Sequence, residues 1–164
     1  MDAYAYSLDE RSQLLRIARQ TLEAVTHDQP RPPLGDIPSS LREPHACFVT
    51  LRRNETHELR GCTGTVTARR PVAEEVSIST EQTALHDPRF PAVVSEETPD
   101  LNIEISVLTP PTPLAYDGPA DLLKRVRPKI DGVFLQHGYH RATFLPQVWE
   151  NVPDPVQFFT RPLS

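Results

Sequence analysis

Residues Arg60-Gly61-Cys62-Thr63-Gly64 place a thiol between two glycines, directly after an arginine. Such a thiol can serve as a nucleophile or a redox group when a nearby cation or helix N-terminus favours its ionised form. Arg60 is a permanent cation that can do this or hold an anionic group. Gly61 and Gly64 predict a sharp turn that a ligand can approach closely. In isolation the same pattern also fits a tight turn over a small buried side chain.

A nucleophilic Cys62 needs a base, and His86 is the candidate because it abuts Asp87-Pro88-Arg89-Phe90-Pro91. A Cys/His pair suits acyl or thiol chemistry; the structural alternative for His86 is a residue closing a helix C-terminus. Glu104 lies on the polar face of an otherwise apolar strand. It is either a general base or the partner of an arginine such as Arg60 or Arg89. Asp87 is expected to brace a turn, and Arg89 to grip a carboxylate or phosphate with two hydrogen bonds. Arg141 and Thr143, two apart on one strand, complete an anion pocket. The candidate catalytic residues are therefore Cys62, Glu104 and His86. Those for substrate binding are Arg60, Gly61, Gly64, Asp87, Arg89, Arg141 and Thr143. His137 and His140 have a His-x-x-His spacing, but on a predicted turn and with no further ligand at a convincing distance, so no metal is expected. There is no phosphate-binding glycine loop or dinucleotide fingerprint, and no cofactor is expected. Trp149 and Phe144 read as core.

The elements that must position these groups belong to a chain of 164 residues with a net charge of −5, enough for one domain with room for a small lobe. No apolar run is long enough to cross a bilayer. The start, Met1 to Tyr6, lacks the basic-then-apolar pattern of a secretory signal, so a reducing, cytoplasmic setting is the expectation. Cys47 and Cys62 pair only if the fold brings them together. The acidic balance argues against coating nucleic acid. Within it, Arg52, Arg53, Arg60, Arg69 and Arg70 form one basic group, and Lys124, Arg125, Arg127 and Lys129 a second. Acids gather at Glu96, Glu97, Asp100 and Glu104. Basic groups on an acidic chain suit a small anion or an acidic partner, or are solvated surface.

Ser7 and Glu10 have capping-box spacing. Leu14, Leu15, Ala18, Leu22 and Val25 follow at helical period, predicting a helix over about 8–26. The 18 prolines imply short elements and rigid connections, and the stretch from Gln29 to Pro38 is expected to cross the surface. Residues 46–53 alternate as a strand, Asn54 to His57 turn it, and the return segment carries Leu59 into the Arg60–Gly64 turn. Pro71 opens a helix at its first position, running to about Thr83. Asp87 to Pro91 stops it. Leu101, Ile103, Ile105 and Val107 mark a strand. A short helix spans about 120–127, a hairpin pairs 132–136 with 141–145, and a last helix covers 155–161. The pattern is α+β, with a mainly antiparallel sheet flanked by helices.

Five ordered segments also resemble one known family. They are Leu59 to Gly64; Asp87 to Pro91; Leu101 to Leu108; Asp131-Gly132-Val133; and Arg141 to Trp149. Together they are similar to the motifs of the AMMECR domain family, in its prokaryotic form AmmeMemoRadiSam system protein A, over nearly the whole chain. The resemblance implies two unequal lobes with a cleft and motif residues near it. It also implies association with a Memo-type protein, related in fold to extradiol dioxygenases, and with a radical-SAM protein. It supplies no settled reaction. Thr63 stands where the family more usually has an aliphatic residue. The family's basic, glycine-containing tail beyond Phe158-Phe159 is expected to be missing after about residue 161. Two functions follow as expectations. One is an enzyme or enzyme subunit using Cys62 on a small anionic or activated substrate. The other is a non-catalytic module binding those partners.

Overall fold

Ser7 begins the first helix as the spacing predicts. Its hydroxyl accepts from the Glu10 N–H at 3.2 Å while its own N–H donates to the Glu10 carboxylate at 2.7 Å, satisfying two otherwise orphaned donors. This helix, α1, runs Leu8–Val25 and ends as Asp28 takes a left-handed backbone, φ 57°. The structure, a computed structural model, describes residues 6–127, 130–137 and 140–144. The expected last helix at 155–161, like Trp149, lies outside the described residues.

The remaining elements are β1 (Cys47–Arg53), β2 (Leu59–Gly64), α2 (Val72–Leu85), β3 (Leu101–Val107), α3 (Gly118–Arg125), β4 (Val133–His137) and β5 (His140–Phe144). Short 3-10 turns occupy Ser39–Arg42 and Ser95–Asp100. The architecture is α+β. The chain divides into two units, Met1–Pro110 and Pro111–Ser164. The first holds an antiparallel sheet in the order β2-β1-β3, with α1 and α2 against it. The second holds α3 and the β4–β5 hairpin, where Gln136 pairs with Arg141 and Phe134 with Thr143. Among the described residues no helix is long and apolar enough to cross a membrane.

Cys47, Val49 and Leu51 point from β1 to the helices and are fully buried, against Leu14, Ala18 and Val76 toward one end and Leu22, Ala84 and Leu101 toward the other. The α1 face differs from the sequence reading in one respect. Leu15 is 43 % exposed, and Ile17 and Thr21 take the buried positions instead. The proline-rich connection is also not merely superficial, since Ile37 and Leu41 tuck into the core on either side of Pro38. Pro71 stands just outside α2, as the residue before its first helical position.

The segment Arg60–Gly64 is a strand and not a turn. Phe48 pairs with Gly64, Thr50 with Cys62 and Leu51 with Gly61; the register then slips at Arg60, so that Arg52 pairs with Leu59. A bulge of this kind re-aims one side chain. The glycines serve close approach rather than a special backbone conformation, for neither has a positive φ. A Cβ on Gly61 would lie 2.8 Å from the Thr83 carbonyl oxygen of α2.

Candidate functional site

Antiparallel pairing gives β1 two faces. Phe48, Thr50 and Arg52 point away from the helices, and the registers place Cys62 and Glu104 on either side of Thr50 in one row. The Thr50 hydroxyl donates to Cys62 Sγ at 3.2 Å. Cys62 is partly exposed, whereas Cys47 is buried on the opposite face. The two thiols are free and face opposite ways, so the fold gives them no means to pair. Burial pushes the Cys47 thiol up to about 12.

The Thr50–Cys62 pair is one whose N–H and C=O groups point away from each other. The outward groups of Cys62, on an edge strand, are taken by side chains of the second sequence motif. The Cys62 N–H donates to Asp87 Oδ2 at 2.9 Å, and Arg89 Nη2 donates to the Cys62 carbonyl at 2.9 Å. Arg89 in turn grips Asp87, with Nε on Oδ1 at 3.0 Å and Nη2 on Oδ2 at 2.8 Å. The pair imitates one residue of a neighbouring strand. It pins Cys62 from the main chain while Thr50 holds the sulfur. Arg89 is half-exposed, its guanidinium lies 5.5 Å from the Phe90 ring, and Nη1 makes no hydrogen bond among the described residues.

The Arg89 hydrogen bonds hold the Asp87 carboxyl at about 2, below its ordinary 3.8. A depressed carboxylate adds stability that is complete above the unfolded value and is lost as pH falls through the folded one. Asp87→Asn is therefore expected to cost about 1–2 kcal/mol at neutral pH, after discounting for Arg89's exposure. The gap to the unsubstituted chain should close between about pH 4 and pH 2 in acid-titrated denaturation curves.

The other expected site residues divide. Arg60 does not face Cys62. It is buried, its side chain 6 % exposed, and chelates Glu97 through Nε at 2.8 Å and Nη2 at 2.9 Å. Nη1 and Nη2 also donate to the carbonyls of Pro91 and Ala92 at 3.0 and 3.4 Å. The slip at Arg60 is what turns it there. Glu104 pairs with Arg52, at 3.3 Å, and not with Arg60 or Arg89. Two strand spacings separate it from Cys62, roughly 10 Å. His86 closes α2, its N–H on the Gln82 carbonyl at 2.9 Å, and its residue is exposed. Arg141 and Thr143 lie on β5 in the second unit. The basic group around Cys62 is largely neutralised: Arg52, Arg53, Arg60 and Arg70 all pair with carboxylates.

Thr50, Thr83 and Glu97 complete the arrangement; the two threonines carry no local signature. Thr83 is buried under β2. Its hydroxyl accepts from the Thr63 N–H at 3.1 Å, lies 2.8 Å from the Thr63 hydroxyl and 3.1 Å from the Val49 carbonyl oxygen. This explains a threonine at position 63: its hydroxyl enters a bond between helix and strand that an aliphatic residue cannot make. A partial signal for Glu97 was the acidic group around it.

The family model AMMECR1 matches residues 15–162. The chain belongs to the AMMECR1 family. A Methanothermobacter thermautotrophicus protein is 37% identical over 143 residues, covering 87% of this chain and 73% of its own length. A Thermococcus kodakarensis protein is 37% identical over 139 residues, covering 82% and 67%. Among solved structures, an uncharacterized protein from Pyrococcus horikoshii superposes with a TM-score of 0.84 at 33% identity, covering 92% of this chain and 76% of that one. The segments Leu59–Gly64 and Asp87–Pro91, far apart in sequence, meet at the Cys62 main chain.

Proposed function

We propose that this AMMECR1-family chain is an enzyme or enzyme subunit in which Cys62 is a nucleophilic thiol toward a small, activated, anionic substrate. The observation that carries the reading is the triple fixation of one residue: Asp87 on its N–H, Arg89 on its carbonyl and Thr50 on its sulfur. Fixing a reacting atom converts a collision into an oriented encounter. Arg89 reaches the Cys62 carbonyl through Nη2, and its Nη1, which makes no hydrogen bond among the described residues, would donate to the substrate's negative group. Sγ then attacks the activated carbonyl, a thioester forms, and the leaving group departs with the thiol proton. His86 and Glu104, first considered as bases, are not hydrogen-bonded to Sγ.

The test is intact-mass analysis after exposure to two aryl esters of equal reactivity, one bearing a carboxylate and one neutral. The reading expects acylation at Cys62 that Cys62→Ser abolishes, with the anionic ester preferred about tenfold. Arg89→Ala should erase the preference. Equal labelling of both esters would remove the anionic substrate from the account, and labelling confined to other residues would remove the nucleophile.

A second reading rests on Sγ having no hydrogen bond to either base candidate among the described residues. The chain would be a non-catalytic module for the Memo-like and radical-SAM partners that the family resemblance implies. Capture of those purified partners by Cys62→Ser as well as by the unsubstituted chain, with no acylation in either, is the result it expects.

A further inference from the structure

The helix layer and the sheet of the first unit differ in width. Packed helices stand about 8–10 Å apart and strands about 4.8 Å, so two helices cover roughly four strands. This sheet has three. α2 packs on β1 and β2, while α1 packs on α2 and β3, so α1 overhangs the outer edge of β3. Beneath it is a groove of about 460 Å³ lined by Tyr6, Leu14 and Leu15 from the helix side and by Ile103, Ile105 and Val107 from the strand.

The register defines the chemistry of that edge. Asn54 N–H bonds the Asp100 carbonyl at 2.9 Å and Leu108 N–H the Ala46 carbonyl at 2.8 Å, so Asn102, Glu104 and Ser106 turn their main-chain groups toward β1. Leu101, Ile103, Ile105 and Val107 turn theirs outward. Arg19 Nη2 takes the Leu101 carbonyl at 2.6 Å. The outward groups of Ile103, Ile105 and Val107 have no hydrogen bond among the described residues. Neither has the buried hydroxyl of Tyr6 in the same groove. An apolar wall beside three unpaired N–H and C=O sets, at strand spacing, matches an extended polypeptide and little else.

We propose that this groove receives one extended strand of a partner polypeptide, which becomes the fourth strand of the sheet. Its alternate side chains are apolar and pack under Leu14 and Leu15. Its main chain pairs with Ile103, Ile105 and Val107. Arg11 and Glu104 also line the groove, so its charges balance and the strand is held by main-chain pairing and apolar packing. A second copy of this chain does not fit the same edge, because a two-fold pairing of β3 with itself would bring a second α1 into the space the first one fills. The surface is separate from Cys62 and stands whether or not that residue is catalytic.

The probes are synthetic peptides of about ten residues, long enough for one strand, in two orders of one composition, one alternating apolar and polar residues and one not. The alternating one is expected to slow hydrogen exchange at the amides of Ile103, Ile105 and Val107 at least tenfold. Ile105→Pro removes an outward N–H and no bond to β1, and should weaken that peptide about tenfold. Leu15→Lys should do the same from the helix side, should the proline variant not fold. The proposal is overturned if no peptide slows those amides, if binding is indifferent to the substitutions, or if the amides are already protected in the chain alone. A concentration-dependent dimer lost in Ile105→Pro would overturn it too, in favour of self-pairing.

Discussion

Gly64→Ala is expected to cost the first unit about 3 kcal/mol, the upper end of what overpacking costs. An added Cβ would stand 2.6 Å from Phe48 Cα and 2.7 Å from Phe48 Cγ, and would press on the Cys47 carbonyl oxygen as well. Two of these three are main-chain atoms of the central strand. They cannot swing aside as a side-chain end can, so β2 must part from β1 where Thr65 N–H reaches the Cys47 carbonyl at 3.0 Å. Gly61→Ala meets the Thr83 carbonyl at 2.8 Å and its Cγ2 at 3.0 Å. There the helix can retreat slightly, and the expected cost is nearer 2 kcal/mol. Urea denaturation of both variants checks the order. If Gly64→Ala unfolds at the same urea concentration as the unsubstituted chain, the close pairing of β2 and β1 is wrong.

Glu97→Ala is expected to destabilise by about 3 kcal/mol, because it strands a buried guanidinium. Arg60 would keep only the carbonyls of Pro91 and Ala92, neither of which balances its charge. The double variant Arg60→Met with Glu97→Leu removes both charges and fills similar volume. It should recover most of the loss, since well-packed apolar pairs replace buried ion pairs at little cost. The comparison separates a charge effect from a packing effect. A double variant as unstable as Glu97→Ala would mean that Arg60 matters for its shape and its carbonyl contacts, not for its pairing. Glu97 also binds Arg53 at 3.3 Å, so Arg60→Met alone should be milder than Glu97→Ala.

Periodic and capped segments were legible in the sequence. The Ser7–Glu10 box, the alternation of residues 46–53 and of Leu101–Val107, and the proline before α2 each act through neighbours within one turn or one strand. What failed depends on pairing across the fold. Gly61 and Gly64 suggested a turn because glycine's conformational freedom is its familiar use, yet here the missing Cβ admits Thr83 and Phe48. That requirement arises only when α2 and β1 are in place. Arg60, Glu104 and Arg89 were grouped by charge and motif, but the register slip at Arg60 sends it to Glu97, while Glu104 falls beside Arg52 two strands from the thiol. Asp87 and Arg89 were recognised as a motif. That they close the open edge of β2 at Cys62 could not be read until the strand order was known.

The central claim is that Cys62 is a positioned, accessible thiol rather than a packing residue. The most direct measurement is its alkylation rate by iodoacetamide at neutral pH in a Cys47→Ser background, against the same peptide segment unfolded. The account predicts faster reaction in the folded chain, falling severalfold in Asp87→Asn and Thr50→Val. A folded-state rate equal to or below that of the unfolded segment, and unmoved by either substitution, would contradict it. The Asp87–Arg89 clamp would then be edge protection for β2 alone.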